Sequence, residues 1–172
     1  QSEKFLQEFA ETLDIPVVTT WAMIDLIDHR HPLYIGTFGT HGQRHSNFAV
    51  QNSDLIIALG TRLDTKATGT PVNSFARESK KIMVDIDPFE LDKFDKLGLK
   101  IDLKINDDLT DIKKINLKKL QFSTKLDFSS WHMQIRIWRE KFLIRDKHYQ
   151  STNNKYVNPY KFFDSLSKEI IK

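Results

Sequence analysis

The sequence predicts an α/β protein, a three-layer fold around a parallel sheet, followed by a basic helical extension. Three observations lead there. Short β-branched or apolar runs, IPVVTT (15–20), LIIAL (55–59) and KIMVDID (81–87), alternate with segments of helical periodicity. No two-residue turn such as Asn-Gly joins these runs, so helical crossovers connect them and the strands are expected to run parallel. After about residue 117 the strand pattern stops, and basic residues accumulate among apolar positions at helical spacing.

Taken in order, residues 2–13 place Phe5, Leu6, Phe9, Ala10 and Leu13 one, three and four apart, the stripe of an amphipathic helix. Ile15–Thr20 reads as a short strand, and residues 21–40, with HRHP near the middle, as irregular structure. QRHSNFAVQN (43–52) predicts a helix whose apolar face is Phe48 and Ala49. Leu55–Leu59, bounded by Asp54 and Gly60, is continuous enough for a strand buried on both faces. Residues 73–79 predict one or two helical turns, and the strand at 81–87 is stopped by Pro88. Residues 89–94 read as a short helix, 99–105 as a more exposed, alternating strand, and 107–115 as helical. Residues 117–130 have turn-like composition; then Trp131, Ile135, Trp138 and Phe142 fall at helical spacing, with Ser130 or Asp127 as cap. The polar loop RDKHYQSTNNKYVNP ends in Asn158-Pro159, which opens a last helix with asparagine as N-cap and proline at the first position. Residues 1–117 thus form the sheet domain and 118–172 a helical segment. Trp138 and Phe142 are too apolar for a solvated linker and are expected to dock on the sheet domain or on a neighbour.

The composition, 40% hydrophobic and 28% charged, is that of an ordinary globular protein. No apolar run approaches the roughly 20 residues that cross a bilayer, so no membrane partner is expected. The polar, acidic start QSEKFLQEFAETLD resembles neither a signal nor a transit peptide, and the chain has no cysteine. Disulfides, zinc–thiolate sites, iron–sulfur clusters and thiol nucleophiles are therefore excluded, and a cytoplasmic location is expected. The net charge of +3 hides an asymmetry: residues 113–172 carry fourteen Lys/Arg against five Asp/Glu, residues 1–112 twelve against eighteen. Because the basic residues are dispersed among apolar helix positions, solvated helix faces explain them better than nucleic acid does.

Gly36, Gly39 and Gly42 form G-x-x-G-x-x-G, which differs from the dinucleotide fingerprint G-x-G-x-x-G. They serve either to bring backbone close to a ligand, with His41-Gly42 at a helix N-terminus, or simply to make sharp turns. Gly60-Thr61-Arg62-Leu63-Asp64 leaves the apolar strand at its carboxyl end, where open α/β sheets bind ligands. Arg62 offers a fork of donors suited to phosphate, and Asp64 suits a ribose hydroxyl; an internal Arg–Asp pair in a surface turn is the alternative. Asp85 reads as a ligand contact and Asp87 as the cap of the helix at Pro88. No catalytic set emerges, since the histidines at 29, 31, 41, 45, 132 and 148 have no triad-like spacing. His41 and His45 are four apart but lack the companion carboxylate of H-E-x-x-H, so no metal site is expected.

IPVVTT, HPLYIGTFGTHG, NFAVQNSDLIIALGTRLD, ATG and VDIDP, in this order and spacing over about 95 residues, resemble the central domain of thiamine-diphosphate-dependent enzymes, acetolactate synthase and its relatives above all. NPYKFFDSLSKEI looks like the connection into the third domain of those enzymes. The resemblance implies a Rossmann-like sheet of the DHS-like FAD/NAD-binding type, here without a counterpart of the family's first strand. It implies a domain that carries no catalytic residue and binds FAD or ADP structurally. Thiamine diphosphate and Mg²⁺ are then expected only in the intact parent enzyme, which decarboxylates 2-oxo acids and ligates carbon fragments. Partners would be the other domains of the same polypeptide and further copies of it. Carried over by position, Gly60, Thr61, Arg62, Asp85 and Ile86 would lie near adenine and ribose, and Thr20, Trp21, Phe38, Thr40 and His41 near the flavin. Asp64, Lys66 and Asp108 are further matches. Trp21, Thr40 and Lys66 stand where FAD-binding members have leucine, methionine and arginine. The rival readings are a stand-alone Rossmann-type nucleotide module and a nucleic-acid-binding domain that uses the basic helices.

Overall fold

The apolar stripe of residues 2–13 folds into α1 (Ser2–Leu13), which buries Phe5 and Ala10 and leaves Lys4 and Glu8 in solvent. In this computed structural model the described residues are 2–112, 127–142 and 157–170. The chain continues through β1 (Val17–Thr19), a 3-10 turn at Trp21–Met23, β2 (Tyr34–Thr37), α2 (Arg44–Gln51) and β3 (Leu55–Leu59). Next come α3 (Thr65–Thr68), a 3-10 turn at Val72–Ser74, β4 (Lys80–Asp85), α4 (Pro88–Leu97), β5 (Leu103–Asn106) and α5 (Leu109–Ile112). α6 (Ser129–Lys141) and α7 (Pro159–Ile170) complete it. The Asp127 carboxylate accepts from the Ser129 amide at 2.9 Å, so of the two expected caps Asp127 serves the start of α6 and Ser130 lies inside the helix; Asn158 accepts from the Lys161 amide at 3.4 Å at the start of α7.

Among the described residues every strand pairing is parallel. β1 pairs with β2, and β3, β4 and β5 form a second sheet in that order, with helices between successive strands from β2 onward. Leu55–Leu59 runs level with Lys80–Val84, and Ile82–Asp85 with Leu103–Asn106. The chain forms two compact units, Gln1–Arg139 and Glu140–Lys172, so the first extends past the change of composition at residue 117. Phe75, Ala76, Met83 and Phe94 are almost wholly buried at its centre, with Leu63, Val72, Leu91 and Leu99 around them. Among the described residues no helix is long and apolar enough to cross a membrane.

Three expectations are corrected. β2 lies in the segment read as irregular: Tyr34, Ile35, Gly36 and Thr37 are all buried, so the apolar–polar alternation that marks a half-exposed strand is missing. β3 is not buried on both faces: only Ala58 is buried, Leu55 is 45% exposed, and among the described residues no strand pairs with its other edge. The strand expected at 99–105 starts later, at Leu103, because Leu99 follows the left-handed Gly98 into the core instead. Residues 117–126 of the turn and residues 145–156 of the polar loop lie outside the described residues, as do residues 113–115 of the helix expected at 107–115.

A second cluster joins α6 to the sheet layer. Ile135 is buried against Ile35 and Ala49, with Val18, Trp131 and Trp138 around it. The Trp138 ring lies 5.7 Å from Phe48 and meets Trp131 edge-on at 5.6 Å. His45 donates from Nε2 to the Ile35 carbonyl, 3.0 Å away; since a carbonyl only accepts, Nε2 carries the proton. Its Nδ1 is buried without a partner. Burial, aided by the Arg139 charge and opposed by the Ile35 bond, depresses the imidazole pKa.

Trp138→Ala removes both ring contacts of a half-buried side chain and is expected to cost about 2 kcal/mol in urea unfolding; an unchanged midpoint would show that α6 is not held there. The His45 shift gives a pH dependence. The unfolded chain takes up a proton near pH 6.5, the folded chain only at lower pH. Stability is therefore full above about pH 6.5 and falls as pH drops below it. Thermal midpoints between pH 7.5 and 5.5 should fall more steeply for the wild type than for His45→Gln; equal slopes would refute the assignment.

Candidate functional site

Parallel strands send their carboxyl ends the same way, so the loops after them gather at one edge. Gly39, at φ +102°, is held by both of its backbone polar groups: its N–H donates to Asn47 Oδ1 at 2.8 Å and its carbonyl accepts from Asn47 Nδ2 at 3.0 Å. The next residue, Thr40, donates its backbone N–H to the Lys66 carbonyl at 2.8 Å. A Cβ at Gly39 would sit 2.4 Å from that same carbonyl oxygen. The two glycine-bearing loops are thus in direct contact. The Lys66 ammonium lies 5.6 Å from the Trp21 ring, which is 57% exposed, and Thr40 Oγ1 is 3.2 Å from His41 Nδ1.

Beyond β3, Gly60 has φ +58°, and the Leu109 side chain, at the start of α5, packs over its Cα where a side chain would stand. Arg62 points outward and meets Glu90 rather than Asp64, with Nη2 at 2.7 Å and Nε at 2.9 Å from one carboxylate oxygen. Lys93 takes the other oxygen and donates to the Arg62 carbonyl. The Arg62 guanidinium, then Lys93, holds the Glu90 carboxyl below its ordinary range, and Glu90 raises the Arg62 pKa in turn. Asp64 caps α3, accepting from the amides of Lys66 and Ala67 at 3.0 and 3.1 Å. Asp85 is buried and accepts from the Asp87 amide at 3.0 Å, while Asp87 caps α4 through the Phe89 amide. Asn106 donates to the carbonyls of Asp85 and Ile86, leaving the Ile86 side chain 67% exposed. Asp108 accepts from the Thr110 amide at 2.7 Å.

The predicted residues therefore fall into two groups. Gly60, Thr61, Arg62, Asp85, Ile86 and Asp108 follow β3, β4 and β5 at one edge. Lys66 meets both Trp21 and Thr40 around the loops after β1 and β2, with Thr20 and His41 next to them in the chain. Phe38 turns its ring into the core, 6.3 Å from Phe75. His41 is exposed while His45 is buried on the Ile35 carbonyl, so the two do not converge; among the described residues no group of three His, Cys, Asp or Glu suits a metal ion. Sequence reasoning missed Glu90, Lys93 and Asn47. Glu90 carried a signal, since it stands three residues after the capping Asp87, the capping-box position. Asn47 carried none.

Residues 1–112 match the family model of the thiamine pyrophosphate enzyme central domain. The acetolactate synthase large subunit of Cyanidium caldarium is 31% identical over 169 residues, covering 95% of this chain and 27% of the relative. That of Corynebacterium glutamicum is 32% identical over 171 residues, covering 96% and 25%. The isozyme 2 large subunit of Escherichia coli K12 reaches 39% over 93 residues, covering 54% and 17%. The chain spans about a quarter of the length of the first two relatives.

Gly39→Ala tests the junction of the two loops. It demands a left-handed backbone and a Cβ inside the Lys66 carbonyl, and is expected to destabilise the fold by about 2 kcal/mol or more in urea unfolding. A loss under about 0.5 kcal/mol would mean that the loops separate freely.

Proposed function

The chain belongs to the thiamine pyrophosphate enzyme central-domain family, and on that premise we propose that it is the non-catalytic central domain of an acetolactate synthase-type enzyme, binding a nucleoside diphosphate at its carboxyl edge. In that enzyme, thiamine diphosphate with Mg²⁺ supplies the nucleophilic carbon for 2-oxo acid decarboxylation and ligation. The other domains of the same polypeptide hold it, in a homo-oligomer in the cytoplasm. This chain's residues do none of that chemistry. The reading also includes a further parallel strand between β1 and β3, supported by the second edges of both strands, which have no strand beside them among the described residues, and by the exposure of Leu55.

The observation that carries the nucleotide reading is the level ending of β3 and β4, which sets the Gly60–Arg62 turn beside Asp85 and Ile86. The exposed Ile86 gives an apolar surface for a base, Thr61 and Asp85 give polar groups for a ribose, and Arg62 gives a fork for phosphate. Here the residues fit the adenosine diphosphate half of FAD, or ADP itself. They fit the flavin half less well, because Lys66 is already engaged there, by its side chain with Trp21 and by its backbone carbonyl with Thr40. ADP is therefore the favoured ligand of this chain.

Isothermal titration is expected to give an ADP dissociation constant below about 1 mM, no weaker than that for FAD. Arg62→Gln should weaken ADP binding roughly tenfold while leaving the thermal midpoint of the free protein in place. Failure of both ADP and FAD to bind below about 1 mM would refute the nucleotide role.

A further inference from the structure

The opposite, amino-terminal edge of the β3–β4–β5 sheet holds a cavity of about 300 Å³ where β4 and β5 begin. Its wall includes Arg77, Lys80, Lys81 and Lys100, against two carboxylates, Glu78 and Asp102. We propose that this cavity binds a phosphate-class oxyanion, held by Arg77 and Lys100 beside the buried ammonium of Lys81.

Lys81 is the decisive residue. It is only 4% exposed, and its Nζ donates to two neutral groups, the carbonyls of Ala76 at 2.6 Å and Ser79 at 2.8 Å. Carbonyls satisfy its hydrogens but bring no counter-charge, and a buried ammonium without one is costly. The nearby carboxylate is engaged elsewhere: Asp102 pairs with Lys100 at 2.5 Å and accepts from the Lys81 backbone amide at 2.9 Å. Burial accordingly pushes the Lys81 pKa down, with the Asp102 charge opposing. The cavity beside it has an excess of positive charge, and the exposed Arg77 adds a guanidinium fork that suits tetrahedral oxyanions. An anion seated there would add negative charge beside Lys81, whose one nearby carboxylate, Asp102, is shared with Lys100. Its size and polar lining suit a phosphate with part of its water and would repel a cation.

The bland explanation is that Lys81 merely clamps the turn between Ala76 and Ser79, where the Ser79 amide also donates to the Ala76 carbonyl at 3.0 Å. The two separate in a titration of the 172-residue chain with inorganic phosphate at constant ionic strength, followed by amide resonances. The expected result is saturable shifts at residues 77–81 and 98–102. Affinity should fall roughly tenfold in Arg77→Gln/Lys100→Gln, whose two changed side chains are exposed and whose thermal midpoint without phosphate should be preserved. Arg62→Gln, at the other edge, should leave these shifts unchanged, which separates this site from the nucleotide reading. Lys81→Met, if folded, should also bind phosphate more weakly; equal affinity would refute the role of Lys81. If Lys81→Met does not fold, the double variant decides. Shifts that chloride reproduces, or undiminished affinity in the double variant, would overturn the proposal.

Discussion

Five register pairs, from Leu55 with Lys80 to Leu59 with Val84, hold β3 parallel to β4, and much of the molecule's useful geometry depends on them. The register extends one step further, where the Gly60 amide donates to the Val84 carbonyl at 2.9 Å. It is enforced from inside: Ala58 and Met83 lie in one buried cluster with Phe75 and Phe94, and fully burying a side chain such as Met83 or Phe94 is worth about 1.5–3 kcal/mol. A slip by one residue would turn Met83 out of the core. A slip by two would keep the faces but displace Gly60 by about 6.6 Å along Asp85, separating the two halves of the carboxyl edge. Packing at the centre thus sets the position of polar groups at both ends.

At the carboxyl edge almost every polar group already has an internal partner. Asp64 and Asp87 cap helices, Asp85 receives an amide, and Arg62 is tied to Glu90. These bonds differ in how much they oppose a ligand. The Arg62 side chain is 76% exposed, so solvent screens its pair with Glu90, and a doubly charged phosphate competes well for the guanidinium. The Thr40–Lys66 bond is between backbone groups in a junction where Gly39 leaves no room to move. Opening it would also cost the Asn47 bonds. The same edge is therefore yielding near β3 and β4 and rigid near β2, which is the physical basis for favouring the diphosphate half of a dinucleotide.

Much of this was legible in the chain. Periodicity located α1, α2 and α6, the apolar runs located β1, β3 and β4, and the lack of hairpin turns gave their parallel direction. β2 was hidden because a strand buried at every position, interrupted by Gly36, has no alternation to read. β3 is less buried than LIIAL suggests for a related reason: the run reports apolar character, while exposure depends on what packs on and beside the strand, a property of topology. The candidate residues were legible as positions and not as bonds. Arg62 was placed correctly after its strand, but its partner is 28 residues away on α4, a distance no local pattern encodes. Lys81 looked like one lysine among many until burial singled it out.

β4 carries Lys81 at one end and Asp85 at the other, about 13 Å apart along an extended strand. Between them Met83 and Val84 are buried and paired on both sides, with β3 and with β5. Coupling between ligands at the two ends would require an element with two arrangements that both ligands bias. A strand whose register is fixed by fully buried side chains has only one. Binding at each proposed site would therefore add its own stabilisation to the folded state without altering affinity at the other. The central strand would then insulate the proposed nucleotide and oxyanion sites from each other, so that their occupancies would be set independently.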